Sequence, residues 1–287
     1  MSRMSLGVLY PGEMGAAIGK CLTGRGHTVL WASRGRGPAT AARAAAAGLT
    51  DAETVPEVAA RAEVILSVCP PHAALEVARS VPGFSGLFVD ANAIAPQTTR
   101  SVAAVLGAAR FVDGGIIGPP PAPGADPAAG NGTRLYLAGE PADEVAALFA
   151  GTPVGARVVD GGVGAASAVK MAYAAWTKGT TALLLAARAL AHQERVEGVL
   201  LEEWALSQPA LAARVQEAAR SAAAKGWRWD AEMTEIAVAM AAAGLPDGFH
   251  LAAAEVFRRS PRREPDTLAG TAPFDLVEMV IEDLLER

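Results

Sequence analysis

The fold is decided by residues 6–15, which read Leu6-Gly7-Val8-Leu9-Tyr10-Pro11-Gly12-Glu13-Met14-Gly15. The short apolar run at the start is typical of a buried strand, and Pro11-Gly12 ends it. The segment from Met14 to Leu22 is then predicted to be a helix, closed by Gly24-Arg25-Gly26. A glycine-containing turn between a strand and a helix predicts the first unit of a parallel α/β sheet.

This turn occupies the position of a G-x-G-x-x-G motif, with Tyr10 in place of the first glycine. Gly12 would let the backbone approach a pyrophosphate, Gly15 would let the helix pack closely on the strand, and the helix N-terminus would offer free N–H groups to the anion. An ordinary strand–turn–helix is the alternative, because one glycine is missing. We expect a dinucleotide to be bound by five consecutive residues: Pro11, Gly12, Glu13, Met14 and Gly15.

The end of the second predicted strand indicates which dinucleotide is bound. Thr28 to Ala32 leads into Ser33-Arg34-Gly35-Arg36, which contains no carboxylate. In dinucleotide-binding folds an acidic residue here binds the ribose 2′-hydroxyl, whereas arginine accommodates a 2′-phosphate through bidentate hydrogen bonds. We therefore expect NADPH rather than NADH, with Ser33, Arg34 and Arg36 at the phosphate and Arg34 as the main determinant.

The rest of the N-terminal half alternates strand and helix signals, which predicts a parallel sheet with helices on both faces. Helix-length stretches include Pro96 to Gly107 and Glu144 to Ala150. The segment 118–132 is rich in proline and glycine and is predicted to be a long loop, flexible or acting as a lid. The further strand candidates are Val64 to Val68, Leu87 to Asp90, Arg110 to Ile117 and Thr133 to Ala138.

From about Gly164 the strand signals nearly stop. Ala165 to Gln193 contains no proline and predicts one helix about 40 Å long. Because this helix is largely apolar, other helices or a second subunit must cover it, so we expect a homodimer. The chain is thus predicted to be an α/β Rossmann domain over residues 1–162 and an all-α domain over residues 163–287. The shorter helices are predicted at Glu197 to Leu206, Pro209 to Lys225, Ala231 to Gly244, Pro246 to Arg259 and Pro273 to Arg287.

The composition excludes several classes of protein. The formal charge of −5 and pI near 5.5 do not favour nucleic-acid binding. The two cysteines, Cys21 and Cys69, form no C-x-x-C pair, so we expect neither a disulfide nor a metal site, and a reducing compartment. The start of the chain lacks an apolar signal region, and no apolar run is long enough to span a membrane, which predicts a cytoplasmic location. The cluster Arg258, Arg259, Arg262 and Arg263 is compatible with small-anion binding or with plain solvation.

Several motifs together carry a resemblance to a known family. Gly12-Glu13-Met14-Gly15, Gly26-His27-Thr28-Val29 and Ser33-Arg34 resemble the opening of the β-hydroxyacid dehydrogenase and 6-phosphogluconate dehydrogenase superfamily. Within it, the chain most resembles the branch with a phosphogluconate-dehydrogenase-like C-terminal domain of unassigned function. That narrower match is carried by Asp90-Ala91-Asn92-Ala93, Lys170-Met171-Ala172-Tyr173, Thr177-Lys178-Gly179, Ser207-Gln208-Pro209 and Gly248-Phe249-His250.

The resemblance implies roles for particular residues. Lys170 corresponds to the catalytic lysine and would donate a proton, although a lysine near a helix start also often reaches solvent. Asn92 lies in the block near the nicotinamide and would hydrogen-bond the cofactor or the substrate, unless it only forms a turn. The remaining implied contacts are Val68, Cys69 and Pro70 with the cofactor, and Gly115, Ile116 and Ile117 with the substrate.

Two departures from the family pattern bear on the substrate. The family's asparagine one turn after the lysine corresponds to Ala174, and its substrate-loop serine corresponds to Ile117. Both groups normally bind a small hydroxyacid, so a larger or more apolar substrate is favoured. Tyr173 is compatible with proton donation, and Lys178 with anchoring an anionic substrate group or a partner subunit; each is equally compatible with a structural role.

Other polar and aromatic residues leave two interpretations open. Trp227-Arg228-Trp229-Asp230, with Glu232, Met233 and Phe249-His250, would wall a substrate pocket or fill a helical core. His192 lies far along the long helix and is expected to be structural.

The combined hypothesis is an NADPH-dependent reductase of a ketone, aldehyde or β-hydroxyacid-type substrate. An imine reductase of the same fold is an alternative, although such enzymes commonly lack the lysine. A non-catalytic NADP-binding module is another, because the serine and asparagine are missing.

Overall fold

The computed structural model describes residues 3–107, 109–261 and 272–286. The chain divides into two compact units, Met1–Met171 and Ala172–Arg287. Arg262 and Arg263 of the predicted arginine cluster, and Arg287 at the end of the last predicted helix, lie outside the described residues.

The first unit is built on one eight-stranded sheet in the order β3-β2-β1-β4-β5-β6-β7-β8. Neighbouring strands are parallel except for β6 and β7, which are antiparallel. The sheet is thus mostly parallel, and it departs from the predicted parallel arrangement only at this pair of the described strands, because the loop over residues 118–132 returns the chain without a helical crossover. The strands are β1 Ser5–Leu9, β2 Thr28–Trp31, β3 Thr50–Asp51, β4 Val64–Ser67, β5 Leu87–Asp90, β6 Arg110–Ile117, β7 Thr133–Ala138 and β8 Val154–Val158.

Helices cover both faces of this sheet, as expected for buried parallel strands. On one face, the side chains of Leu6 and Val8 pack with those of α1, α2 and α6. On the other, Leu9 and Phe88 pack with α3, α4 and α5. The helices are α1 Glu13–Gly24, α2 Pro38–Ala46, α3 Val55–Arg61, α4 Ala74–Arg79, α5 Pro96–Leu106 and α6 Ala142–Leu148.

The order of the strands creates a crevice at the carboxyl ends of the central strands. From β1 the chain builds outward to β2 and β3 on one side, and then returns to β4 on the other side. In doubly wound sheets a ligand binds at such a reversal, outside the carboxyl ends of the strands. The loops that follow β1 and β4 therefore flank the expected ligand position.

All the described elements after β8 are helices. The prediction for α7, Ala165–Gln193, matches the observed bounds, and α7 begins in the first unit and continues into the second. The fold class, a Rossmann-like α/β domain followed by an all-α region, is confirmed. None of the described helices combines the length and the hydropathy needed to cross a membrane. The remaining helices are α8 Glu197–Ser207, α9 Leu211–Lys225, α10 Trp229–Ala242, α11 Gly248–Arg259 and α12 Pro273–Leu285.

Candidate cofactor and active site

The turn after β1 joins strand and helix through an unusual backbone. Tyr10 has a φ of +65°, and the N–H of Gly12 donates to the Tyr10 carbonyl over 2.7 Å. A Cβ on Gly15 would lie 2.8 Å from that same carbonyl oxygen, so α1 can pack this closely only with glycine there. In front of Gly12, by contrast, a Cβ would meet none of the described atoms within 4 Å. The backbone is therefore open to a ligand at the N-terminus of α1, where free N–H groups favour an anion.

The other residues predicted in this turn take different positions. Pro11 is buried, Glu13 is exposed at the first residue of α1, and Met14 packs against the sheet core. Only the backbone of this segment, rather than its side chains, is thus suited to hold a pyrophosphate.

The loop after β2 places its two arginines differently. The guanidinium carbon of Arg36 lies 3.6 Å from the centroid of the Tyr10 ring. Arg34 has an exposed side chain, and its backbone N–H donates to the Glu53 carbonyl. A cavity of about 160 Å³ lies at the turn, lined by Tyr10, Gly12, Arg36, Thr40, Val68 and Pro70.

The loop after β4 is held by Asn92. The Asn92 side-chain oxygen accepts from the backbone N–H of Cys69 over 2.6 Å, and its amide nitrogen donates to the Ser67 hydroxyl over 3.1 Å. Asn92 is 2% exposed. Both amide atoms thus bond within the protein, and these bonds link Asn92 to the Val68–Pro70 loop.

Two buried carboxyl groups lie beside this loop. Asp90 and Asp113 are register partners on β5 and β6, and both are at most 1% exposed. Burial raises the pKa of Asp90 to about 7, and the neighbouring Asp113 charge adds to this, against a lowering hydrogen bond from the Asn92 backbone. Burial likewise raises the pKa of the Cys69 thiol to about 12. Asp90 and the Cys69 thiol are therefore held toward their neutral forms.

Asp90 is expected to make the fold less stable as the pH rises. Its pKa of about 7 in the fold exceeds the value of about 3.9 in an unfolded chain, so the folded state binds the additional proton. The resulting stabilisation is complete below about pH 4 and is lost as the pH rises through about 7, at up to roughly 1.4 kcal/mol per pH unit.

Urea unfolding of the wild type and of Asp90→Asn between pH 4 and 8 measures this effect. The neutral amide should remove the contribution, so the free-energy difference between the two proteins should change across that range. Parallel pH profiles for the two proteins would contradict the prediction.

Asp113 anchors the first turn of α7 to the sheet. Its carboxylate accepts from the backbone N–H of Gly164 over 2.9 Å, and from the backbone N–H and hydroxyl of Ser167 over 3.1 Å and 2.6 Å. The Ser167 hydroxyl also lies 2.7 Å from that of Thr99 on α5. A negatively charged acceptor at a helix N-terminus is favourable, and here it also fixes where the helix begins.

The first turns of α7 rest on Gly115 of β6. A Cβ on Gly115 would lie 2.6 Å from the Ala166 carbonyl oxygen and 3.0 Å from the Cβ of Lys170. Gly115 lies two residues beyond Asp113, which is level with the last residue of β5. Lys170 therefore lies on α7 just beyond the carboxyl end of β5. The loops after β1 and β4 lie at this same end of the sheet. Its side chain is half-buried.

The two isoleucines of the predicted substrate segment belong to the interior of the first unit. Ile116 packs in the sheet core, and Ile117 is 3% exposed. Gly115, in contrast, serves the close approach of α7. The segment as described thus supports the position of Lys170 through its backbone and offers no polar side chain to a substrate.

In the second unit, Lys178 forms an ion pair with Glu232 on α10 and lies 5.1 Å from the Trp229 ring centroid. The hydroxyls of Thr177 and Thr181 donate to carbonyls one turn earlier on α7. Glu232 therefore compensates the charge of Lys178 within the second unit. A cavity of about 390 Å³ between α7, α9 and α10 is lined by Thr177, Lys178, Thr181 and Trp229, among others.

The other aromatic and catalytic candidates of this unit divide between core and surface. Trp229 packs edge-on against Phe257 with centroids 5.0 Å apart, and Met233 is buried, which favours the core interpretation for them. Phe249 is largely exposed, and Tyr173 is 46% exposed, whereas Ala174 is buried. His192 lies 3.5 Å from Glu197, in keeping with a structural role.

Family models match both ends of the chain. Residues 5–92 match the model of NADP oxidoreductases, coenzyme F420-dependent, and residues 191–260 match a domain of unknown function, DUF1932. The chain is therefore similar to NADP oxidoreductases over most of its first half and to this domain of unknown function over part of its helical region. The predicted superfamily resemblance is confirmed at this level.

Solved structures of related fold cover nearly the whole chain. A conserved hypothetical protein from Sinorhizobium meliloti 1021 is 24% identical, with 98% of this chain and 97% of that chain covered and a TM-score of 0.68. The 3-hydroxyisobutyrate dehydrogenase of Mycobacterium tuberculosis, solved with L-serine, is 19% identical over 99% and 100% of the two chains, with a TM-score of 0.62. A reductive aminase from Aspergillus terreus, in complex with NADPH and ethyl levulinate, is 20% identical over 97% and 99%, with a TM-score of 0.55. The fold is thus that of 3-hydroxyacid dehydrogenases and imine reductases.

Proposed function

We propose that the protein is an NADPH-dependent reductase that transfers hydride to a carbonyl group, with Lys170 as the proton donor. The observation that carries this proposal is the placement of Lys170 beyond the carboxyl end of β5, on a helix start fixed by Gly115 and Asp113. At this same end of the sheet, the backbone at Gly12 is open and is suited to hold the phosphates of a dinucleotide.

The residues of the first unit divide the chemistry among them. When bound, NADPH supplies the hydride to the substrate carbon. The ammonium group of Lys170 gives its proton to the substrate oxygen as negative charge develops there, and water returns a proton to the amine. The Val68–Pro70 loop, held by Asn92, would contact the cofactor beside β4.

The substrate class follows from two apolar positions. Ile117 and Ala174 occupy positions at which the superfamily usually carries a serine and an asparagine, and both are buried. Neither offers a hydrogen bond to a hydroxyl or carboxylate. A larger, less polar ketone or aldehyde is therefore favoured over a small hydroxyacid.

A second candidate function is imine reduction, favoured by the similarity of the fold to a reductive aminase. NADPH oxidation with panels of ketoacids, ketones, aldehydes and cyclic imines separates the candidates. A carbonyl reductase should turn over members of the first three panels and should lose that activity in Lys170→Ala. An imine reductase should act on cyclic imines with little dependence on Lys170. NADPH binding without turnover of any panel would identify a non-catalytic module.

We also propose that the protein is a homodimer that covers one face of α7. Trp176, Leu183 and Leu190 follow one another at intervals of seven residues, and each is about two-thirds exposed at 69%, 67% and 64%. An apolar stripe of this kind is typical of a helix that packs against another chain.

Light scattering at micromolar concentration is expected to give twice the mass of the chain. Leu183→Glu should shift the protein toward monomer, because it places a charge in the stripe. The control, Val105→Glu on α5, replaces a solvent-facing apolar residue outside α7 and should remain dimeric. A wild-type monomer would contradict the proposal.

A further inference from the structure

Tyr10 occupies a backbone conformation that favours glycine. Its φ of +65° lies in the left-handed region, which bulky side chains rarely adopt. Tyr10 also stands at the first glycine position of the dinucleotide motif, where the tight turn is normally made without a side chain. An aromatic ring is therefore present here although the backbone conformation disfavours it, which indicates that its contacts serve a function.

The ring of Tyr10 is held between the protein interior and Arg36. On one side it packs against the core cluster that contains Leu9 and Phe88. On the other, the guanidinium carbon of Arg36 lies 3.6 Å from the ring centroid, which is a close cation–π contact. The backbone of the loop helps, since the Arg36 N–H donates to the Ser33 carbonyl over 3.0 Å. Arg36 is thus restrained by both its backbone and its side chain.

A guanidinium stacked on a ring keeps its N–H groups available at its edge. These groups match the oxygens of a phosphate, which arginine binds in a bidentate manner. Arg36 and Tyr10 line the same small cavity as Gly12, at the turn suited to the dinucleotide. Arg34 has an exposed side chain and does not line this cavity.

We propose that Tyr10 is a specificity-determining residue, which stacks on Arg36 and so orients that arginine to bind the 2′-phosphate of NADPH. Arg36, rather than Arg34, then supplies most of the preference for NADPH over NADH. The inference deepens the proposed function, because it concerns the cofactor of that same site, but it does not depend on the substrate or on Lys170.

The test measures cofactor affinity without turnover. NADPH and NADH are titrated by nicotinamide fluorescence, and 2′,5′-ADP and 5′-AMP by calorimetry, against the wild type and single variants. Arg36→Ala should lower NADPH affinity about tenfold or more and leave NADH affinity nearly unchanged, since charge-assisted hydrogen bonds are lost. Tyr10→Gly should lower the NADPH preference about threefold to fivefold, the usual value of a cation–π contact near the surface.

Matched variants separate the stacking from other effects. Tyr10→Phe keeps the ring face and should keep the preference. Arg36→Lys keeps the charge without the planar group and should lose most of it, which provides a second test should Tyr10→Gly fail to fold. An unchanged NADPH-to-NADH ratio in folded Tyr10→Gly, or a larger loss in Arg34→Ala than in Arg36→Ala, would overturn the inference. Inactivity on every substrate panel with the cofactor preference intact would count against the proposed function alone.

Discussion

Replacing Lys170 by methionine is expected to lower turnover about 100-fold while NADPH affinity stays within about twofold of wild type. Methionine keeps most of the length of the side chain but cannot donate a proton. The ammonium acts where charge develops on the substrate oxygen, so the loss should fall on the transition state rather than on binding. Steady-state kinetics on an active carbonyl substrate, together with NADPH fluorescence titration, measure both quantities.

Lys178→Met is the matched comparison, because it makes the same change on the same helix. This lysine pairs with the buried Glu232, so its removal should lower the unfolding free energy and leave the proton-transfer step in place. If Lys170→Met instead turned over at the wild-type rate, the proton would have to come from Tyr173 or from water. The imine alternative would then gain support, because a protonated imine needs less help from an acid.

Asp113→Ala is expected to destabilise the protein by roughly 3–5 kcal/mol, because three buried donors lose their shared acceptor at about 1–3 kcal/mol each. The backbone N–H groups of Gly164 and Ser167 and the Ser167 hydroxyl would lose their acceptor together. Since these bonds fix the start of α7, turnover should fall as well, through the altered position of Lys170. Urea unfolding and steady-state kinetics measure the two effects.

Ser167→Ala and Thr99→Ser remove fewer of these hydrogen bonds and should therefore have smaller effects. Ser167→Ala removes the hydroxyl that bonds both Asp113 and Thr99 but leaves the backbone donors, so its effect should be intermediate. Thr99→Ser keeps its hydroxyl and should resemble the wild type. Wild-type stability in Asp113→Ala would show that the carboxylate does not anchor the helix.

Much of the fold could be predicted because its signals are local. β5, β6 and α7 were predicted at their observed bounds, since each is a run with a single pattern and clear ends. β3 was not predicted, because two residues are too short for any periodicity. β8 was missed because a glycine, an alanine and an arginine interrupt its apolar pattern.

The sequence predicts the parts of the candidate site that lie within one short segment. It does not predict the contacts between residues that are far apart in the sequence. The turn from Tyr10 to Gly15 and the position of Lys170 follow from motifs of a few residues. The bonds from Asp113 to Ser167 connect residues 54 apart, and the stack of Arg36 on Tyr10 depends on the path of a loop. The only available signals were an aspartate within a buried strand and a tyrosine in place of a glycine.

The two borders of the sheet limit how copies of this protein can associate. An unpaired strand border invites another chain to add its own strand, and short or charged borders discourage that addition. β3 at one border has only two residues, both exposed, and one of them is Asp51. β8 at the other border ends with exposed Arg157 and Val158, followed by Asp160. Strand-by-strand polymerisation is thereby disfavoured at both borders, so a protein held at high concentration should not extend into strand-paired fibres.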